Sequence, residues 1–237
     1  MKLSAFQLSH QKTQLFLTTS SNAKLKEKSV DTVLVDHTPS LVGMFNESKM
    51  IIKFIKARSW HEYIKLLWNH SRVTKEVKGS SLLKKLGLRV PVIHETGYGI
   101  VPGTKHEYLG YYIMENLSLS GFQELSKLIK ENGINESLRE TIMISIYDGL
   151  KAMRDNRIVF SDFHLDNVFA NEQGEIAWID AGVTTYHKLN QKKFIKKFNY
   201  SITRYIFYCN DRGNTLNTRE TRLLNTLLIH PINFYTK

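Results

Sequence analysis

The stretch IVFSDFHLDNVF, Ile158 to Phe169, followed by AWIDAG, Ala177 to Gly182, decides how the chain is read. Asp162 and Asn167 stand five positions apart between apolar flanks, and Asp180 ends a short apolar run just before Gly182. Residues 157–160, 168–170 and 175–179 read as short apolar segments, with Asn171 to Gly174 as a turn. A loop therefore carries Asp162 and Asn167, and a hairpin returns Asp180 opposite them. Phosphoryl transfer from a nucleoside triphosphate needs such a set. One carboxylate accepts or orients the attacking hydroxyl, while a second carboxylate and an amide oxygen hold Mg²⁺, because hard cations take oxygen ligands. By itself D-x-x-x-x-N is ordinary loop chemistry of the Asx-turn kind; the order of the remaining elements gives it weight.

Toward the N-terminus, residues 33–35, 41–45 and 50–55 are apolar runs of strand length, with Asn46 to Lys49 as a hairpin loop. They predict an antiparallel meander. Lys53 lies in its last strand, and Lys56, an odd number of residues away, faces the other side of the sheet. A register slip of one would exchange their roles. A helix is expected from about Trp60 to Leu86, carrying Glu76 and stopped by Gly87 and Pro91. Strands over 92–99 and 107–115 follow, separated by Pro102 and Gly103. The stripe Leu138, Ile142, Ile146, Leu150 and Met153 predicts a helix over 136–156, in which Gly149 implies either close packing or an imperfect helix. Helix returns from Lys188. The uncharged stretch Asn116 to Ser120 divides a β-rich part, 1–115, from a mostly helical part, 116–237, which is an α+β plan.

The D-x-x-x-x-N and I-D-x-G arrangement resembles the catalytic and metal loops of the protein-kinase-like superfamily. The resemblance implies a bilobal fold: an antiparallel β-rich N-lobe with one main helix, and a reduced, mostly helical C-lobe. It implies Asp162 as the catalytic aspartate and Asn167 and Asp180 as Mg²⁺ ligands, with Ala181 where protein kinases usually have Phe. His164 stands where protein kinases carry Lys and where small-molecule and sugar kinases often carry His, implying a phosphate or substrate contact and a non-protein substrate. The residue alone reads equally as a loop-bracing imidazole. Lys53 resembles the strand lysine on the α/β-phosphates of ATP, and Glu76 its helix partner; a solvated helix carboxylate beside Lys75 is the other reading of Glu76. YYIMENL, Tyr111 to Leu117, resembles the hinge, with Met114 lining the adenine pocket and the backbone of Glu115 to Leu117 reading the base.

Two departures accompany these matches. No G-x-G-x-x-G occurs, and Ser20 to Lys28 stands where the phosphate-covering loop belongs; no Ala-Pro-Glu follows Asp180. Within the superfamily the chain is most similar to the bacterial lipopolysaccharide core kinases, which phosphorylate heptose or 3-deoxy-manno-octulosonic acid. The short chain, Ile52 to Phe54, Gly87 to Pro91, Ser161 to Asn167 and a basic C-terminal region carry that likeness. It implies ATP and Mg²⁺ as cofactors, and an anionic lipid-linked glycan as substrate, met at the cytosolic face of the inner membrane.

The charge agrees in kind. Lys and Arg number 33 against 22 Asp and Glu, a net charge of +11, which calls for a polyanionic partner and disfavours the acidic pockets of aminoglycoside- or choline-type kinases. Between Lys188 and Asn210 no acidic residue occurs, and six basic residues interleave with aromatic and aliphatic ones. That segment reads as a core helix with solvated lysines, as a face for an anionic leaflet, or as both. One cysteine, Cys209, excludes an internal disulfide and a thiolate metal cluster. No apolar run reaches the ~20 residues of a membrane span, and the first residues lack a signal-peptide core, so a cytosolic protein, free or peripheral, is expected. Neither zinc spacing nor an aromatic RNA-binding pattern accompanies the charge, so no nucleic-acid partner is expected. A non-enzyme alternative, a pseudokinase or membrane-surface module that keeps the fold without transfer, takes its support from the missing glycines.

Overall fold

The computed structural model describes residues 12–16, 22–68, 70–99, 108–131, 134–211 and 216–229. The protein is mixed α+β, with a mostly antiparallel sheet and several helices. Its contacts divide it into two compact units: Met1–Lys78 with Pro91–Leu119, and Gly79–Val90 with Ser120–Lys237.

The first unit holds β1 (Lys12–Phe16), α1 (Asn22–Glu27), β2 (Val30–His37), β3 (Ser40–Phe45), β4 (Met50–Lys56), α2 (His61–Leu67), the first half of α3 (Arg72–Lys85), β5 (Ile93–Gly99) and β6 (Tyr108–Glu115). Its six strands run in the order β1-β5-β6-β4-β3-β2, and every pairing is antiparallel except β1 with β5. Strand β4, MIIKFIK, is buried at its five central positions, as a strand covered on both faces must be. Ile52 and Phe54 join Leu41, Tyr108, Tyr111 and Ile113 in one apolar cluster, and Ile55 joins Tyr63, Val73, Val77, Ile93, Leu109 and Tyr112 in another. Alternation along the strand thus leaves Lys53 among the second group.

The second unit holds the rest of α3, β7 (Gln123–Glu124), α4 (Leu125–Glu131), α5 (Glu136–Asp155), β8 (Ile158–Phe160), β9 (Val168–Ala170), β10 (Ile176–Trp178), β11 (Val183–Thr185), α6 (Gln191–Asp211) and α7 (Thr218–Asn225). Asn135 caps α5 by accepting the Leu138 amide at 2.8 Å. The stripe Ile142, Ile146, Leu150 and Met153 is buried with Phe160, Phe163 and Trp178, while Leu138 is half-buried at its edge. Gly149 is there for packing: a Cβ on it would lie 2.7 Å from the Trp178 ring. On α6, Phe194, Phe198, Ile202, Tyr205 and Cys209 are buried in the same core, so this basic helix is a packed helix.

Several expectations change. The helix predicted over 60–86 is two helices, because the Ser71 hydroxyl accepts the Thr74 amide at 3.1 Å and starts α3 afresh. Gly87 does end it, at φ 79°. Of the stretch 20–28 expected as a phosphate-covering loop, residues 22–27 form α1, and Ser20 and Ser21 lie outside the described residues. The turn at Pro102 and Gly103 also lies outside them. Strands β9 and β10 form the expected hairpin, whereas β8 pairs with the unforeseen β11. Among the described residues no helix is long and apolar enough to cross a membrane.

Candidate functional site

In the first unit, Lys53 of β4 and Tyr112 of β6 are cross-strand partners, so both side chains rise on one face. There they meet Glu76 of α3. Glu76 Oε2 takes Lys53 Nζ at 3.0 Å and the Tyr112 hydroxyl at 2.7 Å. Lys53 is 6% exposed, a depth at which a lysine needs a counter-charge. Lys56 pairs instead with Asp36 of β2 at 3.1 Å, so the register question is answered: Lys53 faces the helix carboxylate. Tyr112 completes this trio without any signal in the sequence, where it stood as one apolar strand residue among several.

At the end of β6, Met114 is half-buried against the cluster of Ile93 and Leu109. The Glu115 amide donates to the Val92 carbonyl at 2.8 Å, and its carboxylate accepts the Val92 amide at 3.1 Å, so that amide is already committed. Leu117 opens a one-turn 3₁₀ helix, whose first N–H has no partner within the turn. Asn116 anchors the segment by donating to the Ser48 carbonyl at 2.8 Å and accepting the Ser118 amide at 3.1 Å.

In the second unit, burial alternates along the loop after β8. Phe163 and Leu165 are buried, Phe163 stacking on Tyr205 with ring centres 4.1 Å apart, while Asp162 is exposed and His164 half-buried. Apolar anchors thus hold a polar rim. Asn167, 5% exposed, gives one amide hydrogen to the Asp162 carbonyl at 2.8 Å and the other to His164 Nε2 at 3.1 Å. The carbonyl partner fixes which end of the amide is nitrogen, and Nε2 must then be an acceptor. That contact assigns the imidazole proton to Nδ1, a buried atom that makes no hydrogen bond among the described residues and lies 3.5 Å from the Asp166 carboxylate. With both hydrogens used, Oδ1 is the remaining polar atom of the Asn167 amide.

The Asp180 turn is tied to this loop by the Ile179 amide, which donates to the Asn167 carbonyl at 3.0 Å. Asp180 itself is left-handed, φ 51°, a strained conformation that Asp tolerates better than most residues. The Gly182 amide bonds to the Asp180 carbonyl at 2.5 Å, and the Val183 amide to the Ala181 carbonyl at 2.7 Å. Gly79 of α3 lies against this turn; a Cβ there would sit 1.7 Å from the Ala181 carbonyl oxygen.

Arg204 of α6 adds a residue that the motif did not supply. Its Nη1 lies 3.3 Å from Asp162 Oδ1, and its Nη2 donates to the Tyr208 hydroxyl at 3.0 Å. The bond to Tyr208 raises the Arg204 pKa against partial burial, and a guanidinium is charged at any ordinary pH. Its only advance sign was membership of the basic helix. The Asp162 carboxylate thus faces a cation at the exposed rim of the loop.

Among the described residues no group of three or more His, Cys, Asp or Glu is placed to hold a metal ion. Asn167 and Asp180 are two oxygen donors of the kind Mg²⁺ takes when phosphates and water supply its other positions. No protein-family model matches the chain, and no curated protein is significantly similar to it.

Proposed function

We propose that this chain has a protein-kinase-like fold and is an ATP- and Mg²⁺-dependent phosphotransferase. Its acceptor would be a sugar hydroxyl of an anionic lipid-linked glycan, heptose or 3-deoxy-manno-octulosonic acid of a lipopolysaccharide inner core, at the cytosolic membrane face. The observation that carries this reading is the hydrogen-bonded loop of Asp162, His164 and Asn167 joined through the Ile179 amide to the Asp180 turn.

In it Asp162 orients the acceptor hydroxyl and receives its proton. Asn167 Oδ1 and Asp180 would hold Mg²⁺, which when bound would supply positive charge against the transferring phosphoryl group. Lys53, kept in place by Glu76, meets the α/β-phosphates; Met114 lines the base, and the backbone from Glu115 to Leu117 reads it through groups other than the committed Glu115 amide. His164, braced by Asn167, presents its Nδ1–H side toward Asp166, so bracing accounts for this residue and a phosphate contact is its second role. Arg204 attracts an acceptor that already bears phosphate or carboxylate.

Asp162→Asn removes the proton acceptor with little change of shape. It should abolish transfer from labelled ATP to core oligosaccharide, and lipopolysaccharide from cells carrying it should lack one phosphate by mass spectrometry. Undiminished transfer would overturn the assignment. The helix α1 at the place of a glycine-rich loop favours a second reading, a pseudokinase that keeps the fold without transfer. Mg²⁺-dependent stabilisation by ATP in a thermal-unfolding experiment, together with transfer, decides against it.

A further inference from the structure

We infer that the outer face of α6 is a docking surface for an anionic lipid bilayer, and that it sets the Asp162 loop at the membrane edge. The observation is the arrangement of the helix's exposed side chains. With about 100° between successive residues, Phe194, Phe198, Ser201, Ile202, Tyr205 and Cys209 fall on one side and are buried. On the opposite side Tyr200 and Phe207 lie in line, 59% and 64% exposed. Around the helix axis Lys192 and Lys196 lie on one side of that line and Lys193 and Lys197 on the other, all four exposed and in the first two turns, while the exposed Asp211 ends the helix on the same face beyond Phe207. Leu189, 89% exposed, stands just before the helix. Aromatic residues along the centre of a face with lysines on both margins are the pattern of a helix lying in a headgroup layer, rings inserted and ammonium groups at the phosphates.

The lysines are placed at a local cost that the fold does not offset. Lys192 and Lys193 stand in the first turn, at the positive end of the helix dipole. Lys192 with Lys196, and Lys193 with Lys197, are like-charge pairs at i, i+4, which destabilise an isolated helix. None of the four makes an ion pair among the described residues, and no acidic residue lies between Lys188 and Asn210. Packing explains the buried side of α6 and leaves this side unexplained. A layer of lipid phosphates supplies the missing counter-charge, and a bilayer rather than a dissolved polyanion accounts for the exposed Tyr200 and Phe207.

Arg204 makes this surface part of the site. It follows Thr203 at the margin shared with Lys193 and Lys197, and it holds Asp162 at 3.3 Å. An acceptor anchored in the same bilayer then meets Asp162 without leaving the headgroup layer. This last step rests on the proposed phosphotransferase function; the docking itself does not.

Co-sedimentation of the full chain with vesicles of phosphatidylethanolamine and phosphatidylglycerol, against vesicles of phosphatidylcholine alone, tests the docking without ATP. The chain should pellet with the phosphatidylglycerol vesicles and be released by salt. Lys192→Gln and Lys196→Gln should each weaken binding roughly fivefold. Tyr200→Ser with Phe207→Ser should weaken it further at unchanged charge, and thermal unfolding of each variant checks that it remains folded. If the unaltered chain docks but transfers no phosphate, the function fails and the surface stands. Equal pelleting with both vesicle types, binding indifferent to Tyr200 and Phe207, or tighter binding to single-stranded RNA than to the anionic vesicles overturns the inference.

Discussion

Lys53 and Glu76 form a 3.0 Å ion pair with only 8% and 18% of their side-chain surfaces exposed, and the Tyr112 hydroxyl shares the same carboxylate oxygen. Removing either charge strands the other away from water. Lys53→Met should therefore lower the free energy of urea unfolding by roughly 2 to 3 kcal/mol, below the ~3 to 5 of a fully buried pair because Glu76 keeps some solvent. Lys53→Met combined with Glu76→Leu should cost less than the sum of the single changes, by about 1 kcal/mol or more. Simple additivity would show that the pair contributes nothing as a pair.

Gly79→Ala puts two effects in opposition. In an exposed helix the change gains up to ~1 kcal/mol of helix propensity. Here the new Cβ would lie 1.7 Å from the Ala181 carbonyl oxygen, a backbone atom that moves only with the Asp180 turn. Overpacking should win, with a net loss of roughly 1 to 3 kcal/mol in urea unfolding. If the turn yields instead, stability is kept and the Mg²⁺-dependent stabilisation by ATP that the proposed function expects should be smaller than in the unaltered chain. A variant unchanged in both measurements would show that the helix stands off from the turn.

How much of this was legible follows from what each feature depends on. The hairpin that presents Asp180 was legible because apolar segments and a turn lie next to one another in the chain. The opposition of Lys53 and Lys56 follows from the pleat alone, but which lysine meets a carboxylate depends on where α3 packs, and that is tertiary. The break between α2 and α3 was hidden because Ser71 interrupts apolar spacing that otherwise runs on. Strand β11 is three residues long with two exposed threonines, too short and too polar for a pattern. Arg204 and Asp162 are far apart in sequence, and only the packing of α6 beside the loop brings them together.

Asn167→Asp separates the bracing role of this residue from its oxygen. The variant keeps an oxygen for a cation but loses both donors, turning oxygen toward the Asp162 carbonyl and toward His164 Nε2. Loss of the donors at a buried site should cost about 1 to 3 kcal/mol. It should also move the His164 proton from Nδ1 to Nε2, where it can reach the new carboxylate. Nitrogen-15 chemical shifts of the imidazole report that exchange directly. An Nε2–H tautomer already present in the unaltered protein would overturn the assignment.

Cys209 offers the pH test. Its thiol is fully buried, and burial pushes its pKa up from 9.0 to about 12, against a smaller downward effect of the Tyr205 hydroxyl. Thiolate is the reactive form, so the native chain should resist a thiol reagent at pH 8, and the same chain in urea should react at its one cysteine. Above pH 9 the unfolded state releases this proton while the folded state keeps it. The folded state then binds more protons, and stability falls as pH rises through 9 toward 12. Tyr108, Tyr111 and Tyr205, each also raised by burial, add losses of the same sign that begin near 10.0. Cys209→Ala should remove the earliest part of the decline. Urea midpoints at pH 8 and pH 10 should therefore lie closer together in that variant than in the unaltered chain. An equal separation in the two would mean that the thiol ionises as freely in the fold as in water.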